Sequence, residues 1–101
     1  MSKQGNGPQP TVGKTVQVKY KGMFLDGKVF DNSDFHGEPL EFVVGIGQVI
    51  PGWDKSVLAM KQGEKRLMVI PPELAYGERG APGAIPPNSF LVFETELVRI
   101  K

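Results

Sequence analysis

No cysteine occurs among the 101 residues. Disulfides, thiol nucleophiles and thiolate metal sites are excluded together. A chain without cysteine suits a reducing compartment. The cytoplasm is the expected location, with an organelle lumen as the alternative had a targeting segment been removed. Histidine is nearly as scarce. His36 stands alone, so neither a zinc site nor a Ser-His-Asp triad has a full set of partners. It reads as a solvated loop residue, and no metal or cofactor is expected. No apolar run approaches the roughly 18 residues of a membrane helix. The start lacks the charged and apolar regions of a signal peptide, so no membrane association is expected. Neither sign of charge dominates: 12 basic and 11 acidic residues are mixed along the chain. That balance leaves no electrostatic footprint for nucleic acid.

What the chain does have is turn residues. There are 13 glycines and 9 prolines, spread between short apolar runs, so they read as turns rather than disorder. The length suits one domain, large enough to bury a core without staples. Residues 1–10, MSKQGNGPQP, are polar and rich in Gly and Pro, and read as a flexible lead or linker. The domain proper is expected over residues 11–101, as a monomer.

From Thr15 to Tyr20 apolar and polar residues alternate, the mark of a half-buried strand. Asp26-Gly27 signals a hairpin turn, so Lys28–Asp31 should run back antiparallel. Asn32–Pro39 is a polar loop, and Leu40–Val44 a short strand. Trp53, Val57 and Met60 fall at helical spacing, which predicts one helix over Trp53–Met60 with Gly63 as its stop. Glu64–Ile70 is a strand closed by Pro71-Pro72. Glu73–Asn88 is a long ordered loop. Phe90–Ile100 is the last strand, apolar in both phases near its ends, so alternation does not decide its inner face. These elements make an α+β domain, an antiparallel sheet wrapping one helix.

Catalytic chemistry is hard to place from residue types. Glu94 and Glu96 share a strand face, and Glu38 lies near Glu41, yet nothing apolar confines either pair; a solvated face is the better reading. Gly45-Ile46-Gly47 lacks the third glycine and the βαβ setting of a dinucleotide loop. The aromatics carry more. Tyr20, Phe30, Phe42, Trp53, Tyr76 and Phe93 come from separate segments. Core packing explains most such sets. However, the polar tips of Tyr and Trp favour half-buried positions. Asp31, directly after Phe30, needs a donor such as a tyrosine hydroxyl. An aromatic pocket with few polar groups suits a small molecule or a peptide. Residue chemistry alone does not name the ligand.

The motifs do more. Val18–Gly22 and Asp26–Ser33, then Gly45–Asp54, then Pro71–Gly77, Ile85–Asn88 and Leu91–Phe93, taken in order, resemble an FKBP-type peptidyl-prolyl cis-trans isomerase domain. The resemblance runs from about Gly5 to Lys101. It implies a five- or six-stranded antiparallel sheet curled around one short α-helix, with a ligand pocket between them. It implies catalytic roles for Tyr20, Asp31, Trp53, Tyr76 and Phe93, with Trp53 as the floor and Asp31 held by Tyr20. Phe30, Leu40, Phe42, Val49, Ile50 and Ile85 would bind substrate, the Ile50 amide and Tyr76 hydroxyl donating to ligand carbonyls. Proline-containing peptides and proteins would be substrates, and macrolide immunosuppressants such as rapamycin would be ligands. The alternative is a macrolide-binding or chaperone module of the same fold with little turnover. Four positions depart from the common pattern: Leu40 replaces an aromatic, His36 an arginine that pairs with the aspartate, and Ala81 and Ala84 are unusual in the long loop. They bear on affinity and substrate preference.

Overall fold

The computed structural model describes residues 5–101. Its spine is β1, Thr15–Phe24, which places Val16, Val18 and Tyr20 on the inner face. The other strands are β2 (Val29–Asn32), β3 (Leu40–Val43), β4 (Lys65–Ile70) and β5 (Leu91–Ile100), and together they form one five-stranded antiparallel sheet. Both edges of β1 are used. β5 pairs along one edge, from Val16↔Ile100 to Phe24↔Leu91. The opposite edge is divided: β3 takes Thr15–Val18 and β2 takes Lys21–Met23. β4 closes the far side by pairing with β5.

Dividing that edge leaves Tyr20 without a strand partner there. Ser33, buried in a short 3-10 turn over Ser33–His36, fills the gap. Its Oγ accepts the Tyr20 N–H at 3.0 Å and donates to the Tyr20 carbonyl at 3.3 Å. A single hydroxyl thus satisfies both backbone groups, which an unpaired strand position would otherwise leave at a cost.

The undecided face of β5 has a structural answer. Leu91, Phe93, Thr95 and Leu97 point inward. The pairing then slips between Gln17 and Val18, so Val18 meets Leu97 but Gln17 meets Arg99. This bulge restores Ile100 to the inner face opposite Val16, where it packs on the core. A bulge shifts the alternation by one residue, which is why apolar residues occupy both phases.

One helix, α1 (Pro51–Leu58), lies against the concave face through Trp53 and Val57. It begins and ends two residues before the expected Trp53–Met60. Pro51 supplies a preset first turn, and the Ile50 carbonyl accepts the Trp53 and Asp54 N–H groups at 2.9 and 3.3 Å. At the other end Ala59 and Met60 donate three residues back, to Ser56 and Val57, and the helix stops. The long loop after β4 opens with a 3-10 turn over Pro72–Leu74. It is cross-braced by paired Ala81 and Ile85 hydrogen bonds of 2.9 and 2.8 Å and by Asn88 N–H to the Gly77 carbonyl at 2.9 Å.

The lead is described from Gly5; Met1–Gln4 lie outside the described residues. Gly7 N–H donates to the Gln62 carbonyl at 3.1 Å, and Gln62 N–H to Pro8 at 2.9 Å. Gln9 Nε2 donates to the Leu58 carbonyl at 2.7 Å, one of the orphan acceptors at the end of α1.

Candidate active site

Between the concave face and α1 lies a cavity of about 210 Å³, lined by Tyr20, Phe30, Asp31, Leu40, Gln48, Val49, Ile50, Trp53, Tyr76 and Phe93. Each wall comes from a different element. β1 gives Tyr20, β2 gives Phe30 and Asp31, β3 gives Leu40, α1 gives Trp53, and β5 gives Phe93. Gln48, Val49 and Ile50 come from the loop into α1, and Tyr76 from the long loop after β4.

Trp53 is the buried centre, 3% exposed. Its ring meets Phe93 edge-on at 5.3 Å and 89°, Tyr20 at 5.2 Å and 78°, and Phe42 at 5.9 Å. Phe30 meets Phe93 edge-on at 5.7 Å and 82°. Edge-to-face contacts of this kind fix ring orientation as well as burying area. Gly22 makes room for them. A Cβ there would fall 2.7 Å from Phe30 Cζ and 2.9 Å from Phe93 Cε1. The inward row Val16, Val18, Tyr20 therefore continues with a position that has no side chain, and two rings meet over it.

Asp31 is the charged group in this apolar setting. Its Oδ2 accepts the Tyr20 hydroxyl at 2.7 Å, and its Oδ1 accepts the Asn32 N–H at 2.8 Å and lies 3.2 Å from His36 Nε2. Burial acts to raise the carboxyl, but the contacts with Tyr20, Asn32 and His36 outweigh it and hold the group below its usual range. Tyr20 moves the other way. Burial, then the Asp31 carboxylate, push its phenol well above the ordinary value. The pair is thus a neutral donor on a charged acceptor at neutral pH.

Nine of the expected residues line the cavity: Tyr20, Asp31, Trp53, Tyr76, Phe93, Phe30, Leu40, Val49 and Ile50. Phe42 and Ile85 do not. Phe42 is buried in the core with its ring in contact with Trp53. Ile85 joins the hydrophobic core, and with Arg79, Pro82, Gly83, Ala84, Pro86 and Pro87 borders a separate surface depression. Ala81 and Ala84 sit at the long loop's bridge, where Ala84 N–H donates to the Ala81 carbonyl at 2.9 Å. His36 lies beside Asp31 rather than free in solvent, although 61% of its side chain is exposed.

Gln48 lines the cavity and was missed by residue reasoning. The available signal was a polar side chain placed directly before the apolar pair Val49-Ile50. Besides the depression at Ile85, itself about 520 Å³, two others are wider than the aromatic cavity, one of about 360 Å³ on the outer sheet face and one of about 550 Å³ beside β3. Charged residues dominate the first, the second mixes polar and apolar residues, and neither gathers the aromatics. Among the described residues no acceptor is hydrogen-bonded to the Ile50 N–H or the Tyr76 hydroxyl, and both groups belong to cavity-lining residues.

Known proteins share this arrangement. A family model described as FKBP-type peptidyl-prolyl cis-trans isomerase matches residues 7–98. FK506-binding protein 1A of Neurospora crassa is 55% identical over 100% of this chain and 85% of its own length. FK506-binding protein 1 of Dictyostelium discoideum is 50% identical over 98% of this chain and 92% of its own. FKBP-type peptidyl-prolyl cis-trans isomerase FkpA of Escherichia coli K12 is 54% identical over 96% of this chain, which spans only 35% of that longer protein. The crystal structure of AtFKBP13 superposes with a TM-score of 0.93 at 42% identity, covering 97% of this chain and 87% of that one. With the motifs, the sheet and the aromatic cavity in agreement, the chain belongs to the FKBP-type peptidyl-prolyl cis-trans isomerases.

Proposed function

We propose that isomerisation occurs in the aromatic cavity by taking an X-Pro bond out of water and favouring its twisted form. The barrier to rotation, about 18–20 kcal/mol, comes from amide resonance. Resonance separates charge in the planar ground state, and twisting removes it. The carbonyl of the twisted bond is therefore less polar, and transfer from water to an apolar wall favours it over the planar form. Every ~1.4 kcal/mol of this preference gives about tenfold in rate. The chemistry needs no nucleophile and no general base.

The proline ring stacks on Trp53, with Tyr20, Phe30 and Phe93 as its sides. Val49 and Leu40 accept the apolar residue before proline. The Ile50 N–H and the Tyr76 hydroxyl donate to peptide carbonyls. Asp31, kept ionised by Tyr20, puts a fixed negative charge at one wall. Phe42 supports the floor, and Ile85 anchors the loop that carries Tyr76. Natural substrates are proline-containing segments of proteins, with the chain acting as a cytoplasmic monomer in protein folding. Macrolides such as rapamycin occupy the same cavity; relatives named FK506-binding proteins support ligands of this class.

One observation carries the reading: an apolar cavity with Trp53 as floor and ringed by aromatics from β1, β2 and β5. The test is cis/trans exchange of a Leu-Pro peptide with and without the protein, repeated with rapamycin. Acceleration abolished by the macrolide supports it. Macrolide binding without acceleration would leave the fold serving as a binding module.

A further inference from the structure

The wall that carries Val49 and Ile50 packs on the core through those two residues, but the stretch before them, residues 46–48, is exposed. β3 ends at Val43 and α1 begins at Pro51, so no strand or helix spans the loop between them. Gly45 and Gly47 take positive φ angles of 88° and 82°, which glycine alone adopts freely. Ile46 between them points outward, 55% exposed. Side-chain hydrogen bonds hold this exposed stretch in addition to the packing at its two ends. Asp54 Oδ1 accepts the Gly45 N–H at 2.8 Å, and Oδ2 accepts the Gly47 N–H at 3.0 Å. Gln48 Oε1 accepts the Val43 N–H at 2.9 Å.

Asp54 follows Trp53 in the first turn of α1. That turn starts at the Ile50 carbonyl, which accepts from both Trp53 and Asp54. Floor and wall therefore hang from one helical turn: Trp53 faces the cavity, and Asp54 reaches out to the loop. Asp54 is not among the cavity-lining residues, so its effect on ligand is indirect, through the groups it holds.

We infer that Asp54 is a positioning residue: its carboxylate, spanning the Gly45 and Gly47 amides, sets the spacing between the Val49–Ile50 wall and the Trp53 floor and so tunes substrate affinity. The inference rests on the reading that this cavity binds the prolyl segment. A carboxylate suits the task because both of its oxygens accept hydrogen bonds. Asparagine keeps one acceptor and turns an NH₂ donor toward an N–H donor. Glutamate keeps both acceptors but sets them one methylene farther out.

The experiment titrates FK506 into wild type, Asp54→Asn and Asp54→Glu, following Trp53 fluorescence, and measures Leu-Pro exchange well below each melting temperature. Asp54→Asn should weaken FK506 binding about tenfold and raise KM by a similar factor, with kcat changed less than about threefold. Asp54→Glu should fall between, about threefold weaker. Leu97→Val, in the core at the far end of β5, serves as a control of lowered stability and should keep wild-type affinity. Wild-type affinity in either Asp54 variant overturns the inference, and Asp54→Glu decides alone where Asp54→Asn does not fold. An equal loss in Leu97→Val overturns it too. A wild-type protein that neither binds FK506 nor accelerates exchange refutes the cavity reading itself, and the positioning role with it.

Discussion

Replacing Tyr20 with Phe removes one oxygen and keeps the ring against Trp53 and Phe93. What is lost is a 2.7 Å hydrogen bond to the Asp31 carboxylate. A hydrogen bond to a charged group is worth about 1.5–3 kcal/mol. Asp31 is 38% exposed and keeps its Asn32 and His36 contacts; water can replace part of the loss, so about 1 kcal/mol is expected. For a domain of this size that lowers Tm by roughly 4–8 °C. The pH dependence identifies the cause. Asp31 is held below its usual range when folded. Its stabilisation is therefore complete above the unfolded value, near pH 3.9, and is lost as pH falls through the lower folded value. The Tm gap between wild type and Tyr20→Phe should be full at about pH 7 and shrink below about pH 4. The raised Tyr20 phenol acts at the other end. Its contribution is complete below the unfolded value, near pH 10, and lost as pH rises beyond it, so the gap should narrow there as well. Thermal melts across the pH range measure both limbs. A gap absent at neutral pH, or one that persists unchanged in acid, refutes the reasoning.

Trp53→Ala should cost about 3–5 kcal/mol, the usual range for emptying a buried aromatic site, and abolish most peptide turnover; Trp53→Phe should fold and turn over slowly. Exchange kinetics on both variants check this, and full activity in Trp53→Ala would sink the floor assignment. Gly22→Ala forces a methyl against Phe30 and Phe93, so a loss of about 1–3 kcal/mol from overpacking is expected, with weakened macrolide binding read by calorimetry. Ile85→Ala, in the core under the long loop, should destabilise by about 2–5 kcal/mol. Faster amide exchange at Ala81 and Asn88 than at β5 positions would show the loop loosening first; uniform acceleration would argue against it.

The strands and the helix were legible because their periods are local. Alternation over Thr15–Tyr20 and helical spacing of Trp53, Val57 and Met60 need no tertiary knowledge. Helix ends were displaced because they depend on which carbonyls find donors, and Ile50 does so before Trp53. Alternation alone did not decide the face of β5, since a bulge defined by its partner β1 shifts the alternation. The site was legible as a set of aromatics and a carboxylate in need of a donor, and Tyr20 proved to be that donor. Phe42 and Ile85 were grouped with the substrate-binding residues by what the family resemblance implies at their motif positions. The fold packs both into the core, Phe42 against the Trp53 ring.

By itself the sequence determined the kinds of side chain available to a cavity: a set of aromatics from separate segments and a carboxylate in need of a donor. It also determined the element types, because hydrophobic period and turn residues act over a few neighbours. The tertiary structure decided which residues converge. Both β2 and β3 pair along one edge of β1, with the Ser33 hydroxyl filling the gap at Tyr20; this packing carries Phe30 and Asp31 to the same cavity as Leu40. Distances between segments far apart in the chain are set by register, bulges and the close approach that Gly22 permits, and none of these is written in local periodicity.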